Sequence, residues 1–218
     1  MFYAPSMTVV RHDLVDAHRA SRRHVASPGA CLPGTQRIRL AEIARDAYVE
    51  AEPSPPWVRR FPEATENLAY RLARHAGTFS VDIYNRAIAE GMSPLVWVEV
   101  VGVVIGTVPV VAFARAIGSD SPTLPPPIDG DPSGRVAPEL VDASLSWVPV
   151  AAPADQTPAV VQALSALPDE WANLWRLAGA QYMTDRQMAD PTWTRGTLSR
   201  PQMELVAGRI SKLRECFY

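Results

Sequence analysis

The sequence predicts an all-α protein in which two helical halves are joined by a proline-rich connector. Apolar residues recur three and four positions apart over most of the chain, the spacing of a helix that buries one face. The β-branched run at 96–111 is too long and too unbroken for one strand of a globular sheet. Eight prolines within residues 119–157 interrupt the helical pattern and predict the connector.

Composition narrows the class of protein. A chain of 218 residues suits a single domain. Its 21 basic and 23 acidic side chains give no excess charge that favours nucleic acid or an anionic membrane, so small molecules or proteins are the expected partners. The two cysteines, Cys31 and Cys216, are too few for a disulfide scaffold, which together with the absence of a signal-peptide pattern predicts a cytoplasmic location.

Residues 1–34 are interpreted as a mostly polar arm with a short helix over Asp13–Arg23. Its three histidines, His12, His18 and His24, are six residues apart, a spacing that rotates each one away from the last on a helix. We therefore predict solvent-exposed histidines and no metal site.

Residues 35–118 are predicted to form the first helical half. In its first helix, Leu40, Ile43, Ala44 and Ala47 share an apolar face, and a second helix is expected over 62–75 with Leu68 and Leu72 inward. Ser80 can cap the third helix, which Gly91 ends in a left-handed turn. Ser93 followed by Pro94 then predicts the start of a fourth.

That fourth helix is apolar over 95–113, nearly the length of a membrane span, but it contains Glu99 and Pro109. We interpret it as the core helix of an all-α protein, not as a membrane helix. Glu99, Gly102 and Gly106 form a stripe three and four residues apart, where another helix can approach closely. Glu99 is expected to be paired or to lie at a rim; a direct functional role is the alternative.

The connector, residues 119–157, is expected to be held to the core by Trp147 and Val148. Residues 158–218 form the second half, whose helices start at Thr157 and Pro158 and place large apolar side chains inward: Leu164, Leu167, Trp171, Leu174, Trp175 and Leu177. Ser199 and Gln202 have capping-box spacing and predict the start of the last helix.

The end of the chain, "LSRPQMELVAGRISKLRECFY", resembles the characteristic helix of the alkylhydroperoxidase D-like superfamily, which includes the carboxymuconolactone decarboxylases. In its peroxidases a glutamate precedes the first cysteine of a C-x-x-C pair by twelve residues, as Glu204 precedes Cys216. The segments "IYNRAIAEGMSPLVWVEVVGVVIGTVPVVAFARAIG" and "QALSALPDEWANLWRLAGAQY" are also similar to helices of that family. The second cysteine and the histidine of the motif would follow Tyr218.

The resemblance implies a helical bundle of this type and a thiol peroxidase in which Cys216 attacks a hydroperoxide and Glu204 belongs to a proton relay. It also implies a thiol reductant protein as partner and a homo-oligomer, with no cofactor and no metal. The motif is incomplete at Tyr218, so we expect either a truncated chain or a protein that has lost activity.

Helix geometry adds a constraint. Twelve residues of straight helix separate Glu204 from Cys216 by about 18 Å, so a relay between them requires a turn of the chain. Cys31 or another subunit would have to supply the second thiol. Residues 66–79 also align with 204–217, matching Glu66 with Glu204, which is consistent with a degenerate repeat in the first half.

Three alternatives remain open. Cys216 can be a small buried apolar residue with no chemistry. The chain can be a non-catalytic scaffold whose stripe of Glu99, Gly102 and Gly106 forms an interface between subunits. It can also be a cysteine-independent enzyme of the carboxymuconolactone decarboxylase kind.

Overall fold

A computed structural model of the chain describes residues 2–3, 9–142, 146–152 and 162–213. The chain divides into two compact units, residues 1–177 and 178–218. Within the described ranges it is mostly helical, with a single two-stranded sheet, which confirms the all-α character.

Among the described residues, five helices lie entirely in the first unit, and another begins there and runs into the second. They are α1 His12–Ala26, α2 Gly34–Val49, α3 Ala64–His75, α4 Val81–Ala89, α5 Pro94–Ala116 and α6 Pro168–Gln181. A single 3-10 turn, Ala76–Thr78, follows α3.

The predicted helix signals around α4 and α5 are confirmed with one exception: Ser80 precedes α4 but makes no capping hydrogen bond with its side chain. Ser93 accepts a hydrogen bond from the Leu95 amide at 3.3 Å, and Pro94 occupies the first turn of α5, where its missing N–H costs no helical hydrogen bond. Gly91 has φ +99°, a left-handed conformation that a residue with a Cβ adopts only with strain, and it follows the last turn of α4.

The core of the first unit lies between α1, α2, α3 and α5. Leu40, Ile43, Ala44 and Ala47 of α2 are all buried, as predicted from their spacing. In the part of the chain that is described, α5 is the one helix long and apolar enough to cross a membrane, and 61% of its most apolar window is buried inside the protein. This burial is typical of a core helix.

The connector contains strands that the sequence analysis did not predict. β1 Leu140–Asp142 pairs antiparallel with β2 Pro149–Ala151, with Val141 opposite Val150. Val148 packs against the core, whereas the Trp147 side chain is 46% exposed, so only one of the two predicted anchors is confirmed. Strands of three residues are too short to show a period of two in the sequence.

The described part of the second unit contains the end of α6 and two further helices, α7 Asp185–Ala189 and α8 Arg200–Leu213. A capping box of Thr184 and Gln187 starts α7. The Ser199 amide donates to Gln202 Oε1 at 2.8 Å immediately before α8, which confirms the predicted helix start. The start of the helix predicted from Pro158 lies outside the described residues, and the prediction is wrong for residues 163–167, which form a turn in which Leu164 has φ +67°.

The expectation of exposed histidines on α1 is wrong for His18 and for His24, whose side chain is 17% exposed, whereas His12 is exposed as predicted. His18 is fully buried, and its ring lies against Tyr3 and Phe113 with the Tyr3 hydroxyl bonded to Nδ1. Leu14, Ala17, His18, Ser21 and Val25 form one buried face of α1. The spacing between the histidines did not predict this face. A helical residue is buried when it lies on the same face as the apolar residues of the helix, whatever its distance from the next histidine.

The large apolar side chains predicted to lie inward in and just before α6 are only partly buried. Leu164, Leu167 and Leu177 are buried as predicted, but the Trp171 side chain is 38% exposed. Glu170 and Asn173 take buried positions in its place.

Candidate functional site

The two residues proposed as catalytic from the sequence lie at the end of the chain. Cys216 falls outside the described residues, so every expectation about it remains a prediction. Glu204 lies on α8, where its carboxylate accepts a hydrogen bond from Arg200 Nε at 2.6 Å. Arg200 is held in place because its Nη1 also donates to the carbonyl oxygens of Gln187 and Met188, at 3.0 and 3.1 Å.

Tyr182 is a second partner of Glu204. The hydrogen bond from Arg200, followed by that from the Tyr182 hydroxyl, holds the pKa of Glu204 below its ordinary value. Burial, and then the hydrogen bond to Glu204, raises the pKa of Tyr182. At neutral pH the pair is therefore a carboxylate and a neutral phenol, whose hydroxyl can both donate and accept a hydrogen bond.

Among the described residues, the largest buried group of charges lies inside the first unit. Arg37 of α2 and Glu99 of α5 are both fully inaccessible to solvent, and Arg37 Nη1 donates to Glu99 Oε1 at 2.7 Å. Glu99 also accepts hydrogen bonds from the backbone amides of Cys31 and Leu32, at 2.6 and 3.3 Å. The predicted pairing of Glu99 is therefore confirmed, and its partner is Arg37.

A second carboxylate completes this ionic cluster. Glu170 of α6 has a side chain that is 2% exposed, and its Oε1 accepts from Arg37 Nη1 at 2.6 Å. His24 Nε2 lies 3.0 Å from the same carboxylate oxygen and 3.1 Å from Arg37 Nη2. The interior cluster, defined here as His24, Arg37, Glu99 and Glu170, joins α1, α2, α5 and α6.

Two glycines make room for the cluster. A Cβ at Gly29 would lie 1.9 Å from Glu99 Oε1, and one at Gly102 would lie 2.3 Å from Glu170 Oε2. The close helix approach predicted at Gly102 and Gly106 is therefore confirmed, but the approaching elements belong to the same unit: Gly106 faces Val25, Ser21 and Asn173. The alternative in which this stripe is a surface between subunits is wrong, because the stripe is buried within the chain.

The charges of the interior cluster stabilise one another in the ionised state. Burial opposes the charge of Arg37, but Glu170 and Glu99 outweigh it and raise the arginine's pKa. Burial acts likewise to raise the pKa of Glu170, but the hydrogen bond from His24 and the charge of Arg37 lower it. Glu170 Oε2 is buried with no hydrogen-bond partner among the described residues. With both carboxylates sealed from solvent, this cluster is suited to joining helices and not to turning over a substrate.

Cys31 lies beside the interior cluster and is half-buried. Burial, followed by the negative charge of Glu99, raises the pKa of the Cys31 thiol to about 11. A thiol at this pKa is almost entirely protonated at neutral pH, and only the thiolate attacks a peroxide or a disulfide. Cys31 is therefore poorly suited to the second-thiol role considered for it.

Sequence reasoning found Glu99 and Glu204 but missed Arg37, Glu170 and His24. Arg37 lies four residues before Ala41 and seven before Ala44, on the buried face of α2, so the helical spacing contained the signal. No comparable pattern identifies Glu170, because its charge is typical of a first helical turn whether buried or exposed. Among the described residues there is no cluster of His, Cys, Asp and Glu that could hold a metal ion.

Comparison with known proteins gave no relative: no family model matches the chain, and neither the curated proteins nor the solved structures contain a significant match.

Proposed function

We propose that this chain has an alkylhydroperoxidase D-like fold and that its second unit carries a thiol peroxidase site, with Cys216 as the nucleophile and Glu204 in the proton relay. The observation that carries the proposal is the hydrogen-bonded pair of Glu204 and Tyr182, a carboxylate and a hydroxyl on elements that precede Cys216. Such a pair can move a proton to and from a reacting group. The resemblance of residues 198–218 to the family's helix supports the same assignment.

The contrast between the cysteines supports Cys216 as the attacking residue. The chain has two thiols, and burial together with Glu99 keeps Cys31 protonated. In the proposed step the Cys216 thiolate attacks the terminal oxygen of a hydroperoxide. An S–O bond forms while the O–O bond breaks, and the leaving alkoxide takes a proton to become an alcohol. The cysteine is oxidised to sulfenic acid, and the peroxide is reduced.

Recycling needs two equivalents of thiol. The sulfenic acid condenses with one thiol to give a mixed disulfide and water, and a second thiol reduces that disulfide and restores Cys216. We assign this reductant to an external thiol, in agreement with the partner that the resemblance implies.

The relay and the proposed homo-oligomer are connected. The nine residues that follow Glu204, up to Leu213, remain helical and rise about 13.5 Å, so Glu204 cannot reach the end of α8 directly. An intermediate group or a second copy must close this distance. Apolar side chains on α8 are well exposed, which favours association of this helix: Leu205 75%, Val206 59%, Ile210 55% and Leu213 64%.

The proposal is tested by consumption of cumene hydroperoxide with dithiothreitol as the reductant. We expect the Cys216→Ser variant to lose activity, the Cys31→Ser control to keep it, and Glu204→Gln to be slowed by about 10²-fold or more because the relay is interrupted. In parallel, dimedone and mass spectrometry should detect a sulfenic acid on Cys216 after peroxide treatment.

Equal rates for the wild type and Cys216→Ser would reject Cys216 as the nucleophile. If the wild type consumes no peroxide and dimedone leaves Cys216 unmodified, the peroxidase proposal fails and the non-catalytic scaffold is favoured.

A further inference from the structure

A groove on the first unit is lined by none of the residues of the interior cluster. It has a volume of about 310 Å³ and is bounded by α3, α4, the start of α5 and the loop before α3. This volume is at the lower end of the range of ligand pockets, about 300–1,000 Å³, and therefore suits a small organic molecule.

The floor of the groove is apolar and aromatic. Leu68 and Trp97 are each 6% exposed, so they form part of the core and expose only an edge to the groove. Trp97 is fixed by edge-to-face contacts with Phe79 and Tyr84, with ring centroids 5.8 and 5.2 Å apart. A floor held by such contacts is already formed before a ligand arrives.

The walls of the groove carry an excess of positive charge. Three arginines line it, Arg59, Arg71 and Arg86, against one acidic side chain, Glu90. Arg71 packs over the Phe79 ring at 5.1 Å and donates to Thr78 through Nε and Nη2. Arg59 donates to the carbonyl oxygens of Phe61 and Pro62. These two guanidinium groups are therefore held by neutral partners, which leave their charge unbalanced.

Arg86 is the arginine available to a ligand. It is exposed in the last turn of α4, and its guanidinium group makes no hydrogen bond or ion pair with any residue that the structure describes. A guanidinium fork matches the two oxygens of a carboxylate. An uncompensated cation beside a preformed apolar floor is complementary to a molecule with an anionic head and an apolar body.

We propose that this groove binds an apolar monocarboxylate, with its hydrocarbon on the floor formed by Leu68, Phe79 and Trp97 and its carboxylate at Arg86. The site lies wholly within the first unit and uses no cysteine, so it does not depend on the proposed peroxidase activity.

Isothermal titration calorimetry on the full chain tests this proposal with three probes: octanoate, octan-1-ol and acetate. Octanoate carries both the chain and the charge, octan-1-ol lacks the charge, and acetate lacks the chain. We expect octanoate to bind at one site per chain. Octan-1-ol should bind about tenfold more weakly, because it forfeits the hydrogen bond to a charged group, and acetate should give no saturable signal.

Two variants and a control locate the site. Arg86→Gln should weaken octanoate binding about tenfold, because it removes the free guanidinium without disturbing a contact. Ala87→Glu adds a carboxylate to the groove lining and should abolish binding. Arg135→Gln, an exposed arginine paired with Asp169 outside the groove, should leave the affinity unchanged.

Three outcomes would overturn the proposal: no saturable octanoate binding to the wild type, equal affinity for octanoate and octan-1-ol, or octanoate binding by Ala87→Glu at the wild-type affinity. Far-UV circular dichroism of each variant establishes that it is folded. If Ala87→Glu fails to fold, Arg86→Gln decides the matter, and an unchanged affinity for that variant contradicts the proposal.

Discussion

Two arginine–glutamate pairs in this chain have almost the same length and very different surroundings. Arg37 and Glu99 are 2.7 Å apart with both side chains fully buried, whereas Arg200 and Glu204 are 2.6 Å apart with side chains 19% and 47% exposed. Water competes for the second pair and is excluded from the first. The comparison teaches that the length of an ion pair does not predict its contribution to stability, since that depends on what becomes of each charge when its partner is removed.

The largest expected effect comes from breaking the buried pair. Arg37→Met removes the one cation among the described residues that contacts both Glu99 and Glu170, and it leaves two buried carboxylates close together without solvent. We expect the free energy of unfolding to fall by about 3–5 kcal/mol, the usual cost of an uncompensated buried charge. Urea denaturation followed by circular dichroism measures this loss.

The matched control is Arg200→Met, which removes the same side chain from the exposed pair. We expect a smaller loss, about 1–2 kcal/mol, because water solvates the remaining Glu204 carboxylate and the variant gives up only the hydrogen bonds that Arg200 donates to the carbonyl oxygens of Gln187 and Met188. Similar losses for the two variants would show that solvent exposure does not distinguish the pairs.

A somewhat smaller effect is expected from the pH dependence of His18. Burial, followed by the positive charge of Arg22, lowers the pKa of His18 to about 4 from an ordinary value of 6.5. The unfolded chain therefore binds a proton here at a higher pH than the folded chain does. The resulting stability is fully present above pH 6.5 and is lost as the pH falls towards 4, by about 3 kcal/mol in total.

Comparison with His18→Asn isolates this contribution, because asparagine does not titrate. Between pH 6.5 and 4, the free energy of unfolding should fall by about 3 kcal/mol more in the wild type than in the variant. His12→Asn, at an exposed position of the same helix, should retain the wild-type slope. Parallel slopes for the wild type and His18→Asn would contradict a neutral, buried His18.

The smallest effects are expected at two helical glycines, Gly102 beside the interior cluster and Gly208 on α8. In Gly102→Ala the new methyl group would meet Glu170 Oε2 at 2.3 Å and Glu170 Cδ at 2.8 Å, so the interior cluster must shift. We expect a loss of about 1–3 kcal/mol, typical of overpacking in a core. Thermal and urea denaturation measure the change.

Gly208→Ala on α8 is the counterpart, since nothing lies within 4 Å of the added methyl group. Here we expect a gain of about 0.5–1 kcal/mol, because alanine restricts the unfolded chain more than glycine does. A gain at both positions would indicate that the cluster adapts readily.

Much of the helical framework could be predicted from local chemistry. The residues that start or end a helix act within one turn of that end, so a few neighbouring residues are enough to predict their effect. They are Ser93 and Pro94, Gly91, and Ser199 with Gln202. The apolar face of α2 was predictable for the same reason.

The interior cluster was only partly predictable, because its members come from distant parts of the chain. Glu99 was conspicuous as an acid in an apolar helix, but Glu170 is 71 positions later and Arg37 is 62 positions earlier. Helical spacing could have assigned Arg37 and His18 to buried faces. It could not have paired them, since pairing depends on how the helices pack.

The narrow space at Gly29 and Gly102 also determines how this interior can be redesigned. Replacing a buried ionic cluster such as Arg37, Glu99 and Glu170 with well-packed hydrocarbon side chains of similar volume is often neutral or stabilising. Here the backbone on two sides is shaped around flat carboxylate groups, and bulkier branched replacements would collide with it. A successful redesign would have to change the two glycines and the three ionic residues together, because the space at each depends on the others.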